Sequence, residues 1–316
     1  MSHSDVLEFT DSFSRSRGDA NNFNKTTPNH KVTDSPQPEL QPKSLLKHLN
    51  PDGGLPYAPG GPSFSEPTLL TALAFIAAGD RNGAQPLVKW VLKNRNADGS
   101  MGLSREFPHE GLWNSPLLAI TMHHLGFKSE RDSAIEFILG FRSIPAGAST
   151  AIDLNARLVG WPWIGNTFGW VEPTSWALLS LEFAGKADHP RAVEGRRLLE
   201  DRCIPGGGWN YGNKVVFNHN LMPFWDTTAL ALLALGNRNP QLTDKNLDLL
   251  EKSFPEIRSL LSNAMVCLCL ARFGRRTDEI RNRITILLDK IERDDLNFAH
   301  SALGLIALSR KRVLTP

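Results

Sequence analysis

One stop signal recurs along this chain and limits what it can fold into. The segments EPTLLTALAFIAAG (66–79), WNSPLLAITMHHLG (113–126), EPTSWALLSLEFAG (172–185), PFWDTTALALLALG (223–236) and LSNAMVCLCLARFG (261–274) each run from a polar or proline-marked start through an Ala/Leu-rich body to a glycine. LNFAHSALGLIALS (296–309) has the same form and ends in serine. Glycine just past an apolar run is a helix C-terminal signal, and proline in the first turn is an N-terminal one. The six segments are apolar nearly all round, so each reads as a helix buried on every side.

Helices of a second kind lie between them. DEIRNRITILLDKI sets Ile280, Ile284, Leu287, Leu288 and Ile291 on one stripe with charges elsewhere, and QPLVKWVLKNR, DSAIEFILGF and RAVEGRRLLEDR are similar. One-sided helices lie on the outside of a core. Alternating buried and outward-lying helices predict an all-α fold, an (α/α)6 toroid with an inner and an outer ring. A helical solenoid that never closes is the rival. No segment shows the alternation of a strand. The stops at 79, 126, 185, 236 and 274 are unevenly spaced, and the long loops precede the second, third and fourth inner helices. In a repeat array, insertions gathered on one face mark a binding face.

Composition narrows the partners. Of 316 residues, 41% are hydrophobic and 22% charged, and a net charge of +2 gives no electrostatic case for nucleic acid. No stretch approaches a membrane span and no secretory leader is visible, so a cytoplasmic protein is expected, with membrane contact at most peripheral. Cys203, Cys267 and Cys269 do not suggest a disulfide framework, and Cys267 and Cys269, two apart on one helix, read as core. Residues 1–42 are rich in Ser, Asp, Asn, Pro and Lys and are expected to be disordered, leaving 43–316 as the toroid domain.

The long loops and inner-helix starts hold Trp113, Trp161, Trp163, Trp170, Trp176, Trp209 and Trp225, with Trp90 alone on an outer helix. Two readings stand side by side. The rings plug the barrel end as core, or they line a pocket for an apolar ligand, where aromatic faces also stabilise a cation. The carboxylates Glu66, Glu172 and Asp226 sit at inner-helix starts, where acids compensate the helix dipole or act chemically. His219 lies seven residues before Asp226 and is either its partner or solvated.

GGGWNYGN…LMPFWDTTALALLAL (206–235) resembles the acid-motif repeat of the squalene–hopene cyclases, Gly-Gly-Trp-x-Phe/Tyr followed by Pro-Asp-x-Asp-Asp-Thr-Ala. FGWVEPTSWALLSLEFAG resembles another repeat of the same proteins. The resemblance implies a terpene-cyclase/prenyltransferase-β toroid over roughly 43–312, with Asp226 on the proton donor, Pro223, Thr228 and Ala229 matching, and Phe224 and Thr227 replacing the two outer aspartates. It implies a cyclase or isomerase that holds an isoprenoid-like substrate in a central cavity. Asp226 would act with His219, and Trp113, Trp170, Glu172, Trp176, Trp209, Tyr211, Phe224 and Trp225 would line the site. No cofactor is expected. No metal is expected either, because Thr228 stands where the prenyltransferases carry a zinc-binding cysteine, although His300 is present. Two other functions remain: a non-catalytic lipid- or protein-binding scaffold, and a glycoside-active α/α barrel using paired carboxylates such as Glu172 and Asp226.

Overall fold

The computed structural model describes residues 40–147, 152–291, 296–309 and 311–315. The expectation of disorder therefore lies, up to residue 39, outside the described residues. Among the described residues, twelve α-helices follow in chain order. They are α1 (Pro42–Leu45), α2 (Ser65–Ala77), α3 (Gln85–Asn94), α4 (Ser115–Leu125), α5 (Lys128–Gly140), α6 (Val171–Phe183), α7 (Pro190–Arg202), α8 (Trp225–Leu235), α9 (Pro240–Ser253), α10 (Leu260–Arg272), α11 (Asp278–Lys290) and α12 (Phe298–Leu308).

The even-numbered helices from α2 to α12 form the inner ring. Each packs on the next, and α12 packs on α2, so the ring closes and the open solenoid is excluded. The odd-numbered helices α3 to α11 pack outside it. The sixth outer position is held by the short α1, which touches both α12 and α2. From the second turn onward the inner helices are buried all round; half-exposed residues occur at their ends.

Backbone geometry at both ends explains the closure. Gly79, Gly126, Gly185 and Gly274 adopt φ of +84°, +83°, +71° and +70°. The residue after each donates its N–H back into the helix, as Asp80 does to the Phe75 carbonyl, satisfying carbonyls a helix end leaves open. The serine that replaces glycine after α12 joins two helices instead. Its Oγ donates to the Ala77 carbonyl of α2 at 2.7 Å, so Ser309 ties the last inner helix to the first.

At the N-terminal end a single device repeats. The carbonyls of Leu55, Trp161 and Trp209 accept the N–H of Phe64, Trp170 and Phe224, the residues that precede α2, α6 and α8. The N–H groups of the same three loop residues donate to the hydroxyls of Thr68, Thr174 and Thr228 at 2.9–3.0 Å. Met101 N–H does likewise to Ser115 on α4. Two residues further along three of these four loops, the carbonyls of Tyr57, Leu103 and Tyr211 accept the first N–H of the neighbouring helices α12, α2 and α6. Each such loop thus binds its own inner helix and the one before it, and supplies acceptors for N–H groups that helix starts leave unpaired.

Three two-residue strands were not foreseen: β1 (Ile152–Asp153), β2 (Val215–Val216) and β3 (His219–Asn220) form one antiparallel sheet. They join the loops before α6 and α8, with Phe217 and Asn218 turning the hairpin at φ of +48° and +61°. Strands this short carry no legible alternation.

Candidate functional site

The threonine staples fix which way the inner helices face. Thr68, Thr174 and Thr228 point outward to their loops, and the residue two positions earlier lies about 200° round the helix. That residue is Glu66 on α2, Glu172 on α6 and Asp226 on α8, each the second residue of its helix. All three carboxylates therefore face the axis at one end of the ring. Helices α6 and α8 are neighbours, and α2 lies opposite α8. Six helix N-termini converge here, and their dipoles favour negative charge.

The three carboxyl groups differ in surroundings. Glu172 is buried, with 8% of its surface exposed. Asp226 is half-buried, and Ser262 Oγ of α10 donates to it at 3.4 Å. Glu66 accepts a 2.5 Å hydrogen bond from the Tyr57 hydroxyl. His300, half-buried near the start of α12, lies on the side of its helix opposite Phe298, which packs outward on His48. Ser65, Thr227, Asn263 and Ser301, all in first turns, each keep a buried oxygen without a hydrogen-bond partner among the described residues. This end of the ring is polar beneath its rim as well as at it.

Aromatic residues stand above the carboxyls. The N-cap positions of α2, α6 and α8 are Phe64, Trp170 and Phe224, none of which offers a side-chain cap. Each packs on a second ring: Tyr57 on Phe64 at 5.0 Å, Phe168 on Trp170 at 4.6 Å and Tyr211 on Phe224 at 4.8 Å between centroids. Before α4, Trp113 and Trp163 meet edge to face at 4.8 Å. Phe168 and Phe224 are exposed, and Trp163, Trp170 and Tyr211 are half-buried.

The residues singled out from sequence thus divide. Glu172, Asp226, Trp170, Tyr211, Phe224 and Trp225 gather at the starts of α6 and α8. Trp176 lies one turn below Glu172 on the axis-facing stripe and is buried as a floor. Trp113 sits at the next helix, buried behind Trp163. Trp209 lies elsewhere: it is fully buried on the outer side of α8, and its indole N–H donates to the Leu199 carbonyl at 2.6 Å. His219 lies exposed on β3 at the hairpin. Sequence reasoning passed over Tyr57, Phe64, Phe168 and Ser262, and named Trp163 only among the loop tryptophans. The legible signal was the repeat FSEPT, WVEPT, FWDTT: aromatic, any, acid, any, threonine.

Other chemistry is sparse. Among the described residues no three His, Cys, Asp or Glu side chains cluster as metal ligands. Cys267 and Cys269 are buried, and burial raises both thiols, Cys267 to about 11. A cavity of about 490 Å³ beside α7 is lined by Arg142, Arg191, Arg197, Asp188 and Glu194. Two of its arginines already pair with Glu194, and Arg191 also stacks on Trp161 at 4.2 Å. No described helix is long and apolar enough to cross a membrane.

No family model matches the chain, and no curated protein matches it in sequence. Solved structures share its fold. An α-amylase from Clostridium perfringens superposes with a TM-score of 0.60 at 12% identity, over 86% of this chain and 98% of that one. An endo-1,4-D-glucanase from Vibrio fischeri ES114 gives 0.58 at 15%, over 85% and 93%. PssZ from Listeria monocytogenes gives 0.54 at 11%, over 88% and 98%. Identities this low speak for the fold, an all-α toroid. They also correct the resemblance to the squalene–hopene cyclases, together with the cyclase or isomerase activity and the isoprenoid-like ligand it implied: these neighbours are an amylase and a glucanase, not terpene cyclases. The physical reason lies in the matched motif. Its Trp209 and Thr228 form the loop-to-helix staple, so the likeness reports how a toroid is tied together.

Proposed function

We propose that the protein is a glycoside-active toroid that cleaves a glycosidic bond between Glu172 and Asp226. One observation carries the reading: the two carboxyls occupy the same position on adjacent inner helices and both face the axis. Neighbouring helices pack about 8–10 Å apart. That spacing is commensurate with the roughly 5–9.5 Å between the two carboxyls of glycoside hydrolases. Surroundings divide the roles. Buried Glu172, the more enclosed of the two, is assigned the proton that passes to the leaving oxygen. Asp226, reached by solvent and held by Ser262, is the base that takes a proton from a water attacking the anomeric carbon on the opposite face, so the water's oxygen forms the new bond as the leaving oxygen takes the Glu172 proton. Exposed rings beside them suit the apolar faces of pyranoses, and the amylase and glucanase neighbours agree with a carbohydrate substrate.

The test is release of reducing ends from soluble α-1,4-glucan, β-1,4-glucan and xylan. The expected result is activity on at least one, reduced at least about 100-fold in Glu172→Gln and in Asp226→Asn while both variants stay folded by circular dichroism. A folded wild-type protein that releases nothing from any glycan overturns the reading.

A further inference from the structure

The aromatic pairs extend beyond the carboxyl pair. They occur at four consecutive inner helices, α2, α4, α6 and α8, while α10 and α12 present Ser262 and His300 to the same end. Only the last two of the four carry the proposed cleaving pair. The rings at α4 and α2 stand one and two helix-to-helix steps from α6, at about 8–10 Å per step, and so lie beside sugars beyond the one at the scissile bond. Yet they are built in the same way. Phe64 holds the N-cap position that Trp170 and Phe224 hold, and Trp163 stands half-exposed in front of buried Trp113. A structural plug would bury both members of each pair. Here one ring backs another that water can reach.

We propose that these rings form a curved stacking track, and that the substrate is a linear glycan several residues long, lying over α2 and α4 with its scissile bond at α6 and α8. The inference rests on the glycoside reading. The rings of Phe64 and Trp163 are distal subsites: each presents a flat apolar face to a pyranose and holds the chain in register. Tyr57 fixes the far end, because its hydroxyl is bound to Glu66 and its carbonyl to the Phe298 N–H. Glu66 and Tyr57 then offer polar atoms to the hydroxyls of the outermost sugar. Binding energy gathered along the track is available to orient the bond being broken, so chain length governs turnover as well as affinity.

The experiment measures kcat/KM on malto- and cello-oligosaccharides from dimer to hexamer for wild type, Phe64→Ala and Trp163→Ala. In wild type kcat/KM should climb with length to at least the tetramer. Each variant should lose about five- to tenfold on the longest substrate and stay near wild type on the shortest one cleaved, which also shows that fold and carboxyls are intact. A wild-type kcat/KM that does not change with length overturns the track and leaves the glycoside reading standing. Variants that lose short and long substrates equally, or lose neither, do the same. Failure of every oligosaccharide and polymer to be cleaved removes the glycoside reading and the track with it.

Discussion

Replacing Thr228 by valine tests the staple on which the geometry of the site depends. Thr228 and Trp209 are both fully buried. The threonine hydroxyl accepts the Trp209 N–H at 2.9 Å and donates to the Trp209 carbonyl at 3.2 Å. That carbonyl also accepts the Phe224 N–H at 2.9 Å, so it stays satisfied when the hydroxyl is removed. Valine keeps the shape and orphans one donor, the Trp209 N–H. The cost is the desolvation penalty of one buried amide, about 1–3 kcal/mol. Serine keeps the hydrogen bond and loses one methyl, about 1 kcal/mol. The stability order is therefore Thr, then Ser, then Val, the reverse of what apolar burial alone would give for Ser and Val. At about 2–4 °C per kcal/mol for a domain of this size, valine should lower Tm by roughly 2–12 °C. Thermal unfolding followed by circular dichroism reads it directly. A valine variant as stable as wild type, or more stable than the serine variant, refutes the staple and the inward orientation of Asp226 derived from it.

Further outcomes follow from other contacts. Gly208→Ala should destabilise strongly, because the residue sits at φ +78° and a Cβ there would lie 2.5 Å from Pro223; denaturant titration reads this, and a neutral result would mean the loop can shift. Ser309→Ala should cost about 1 kcal/mol and speed amide exchange at the C-terminal ends of α2 and α12, where the hydroxyl now joins them. Burial, then Arg131, lowers His123; burial lowers His124 most, with His123, Lys311 and Arg81 adding to it and the Val313 hydrogen bond opposing it. The folded state therefore binds fewer protons than the unfolded one, so this contribution to stability is complete above the unfolded value near 6.5 and is lost as pH falls through it. Tm measured from pH 7.5 to 5 should drop less steeply in a His123→Phe, His124→Gln variant. A thiol reagent at neutral pH should label half-buried Cys203 first and reach Cys267 and Cys269 only on unfolding, as mass spectrometry would show.

The toroid was legible because its signals are local and repeated: a glycine that adopts positive φ after an apolar run announces a helix end in the sequence itself. The site was legible only in part, because its signal is registered from the other end of the helix. Aligning the stops sets Glu66 and Glu172 together but puts Pro223, not Asp226, in line with them, since α8 has 11 residues where α2 and α6 have 13 and its glycine follows the helix directly, where theirs comes one residue later. Aligned on the starts, Glu66, Glu172 and Asp226 coincide. Trp209 misled for a related reason. A tryptophan beside glycines in a long loop has the composition of a pocket wall, and only the tertiary partner, the Leu199 carbonyl, reveals it as a fastener. His219 was close to Asp226 in sequence, but the turn at Phe217 and Asn218 carries it into a solvent-exposed hairpin.

The pentapeptides FSEPT, WVEPT and FWDTT join architecture and chemistry within one turn of helix. Their threonine must face outward, because a buried loop N–H needs an acceptor there. Helical geometry then sends the acid to the axis, and the aromatic residue before it, still in extended backbone, is left on the rim. Position two of the helix is thereby turned toward the axis and away from the outer surface. At α4 the loop meets Ser115, and the residue two before it is Trp113, not an acid. Trp113 precedes the helix, in a 3-10 turn, and Trp113→Glu would put a carboxyl where a buried ring now stands. The expected result is a folded but less stable protein, because the substitution removes the ring that backs Trp163 at 4.8 Å. Cleavage of long glycans should fall more than cleavage of short ones, since α4 belongs to the track and not to the cleaving pair. An unchanged preference for length in that variant would mean that Trp113 and Trp163 only fill space.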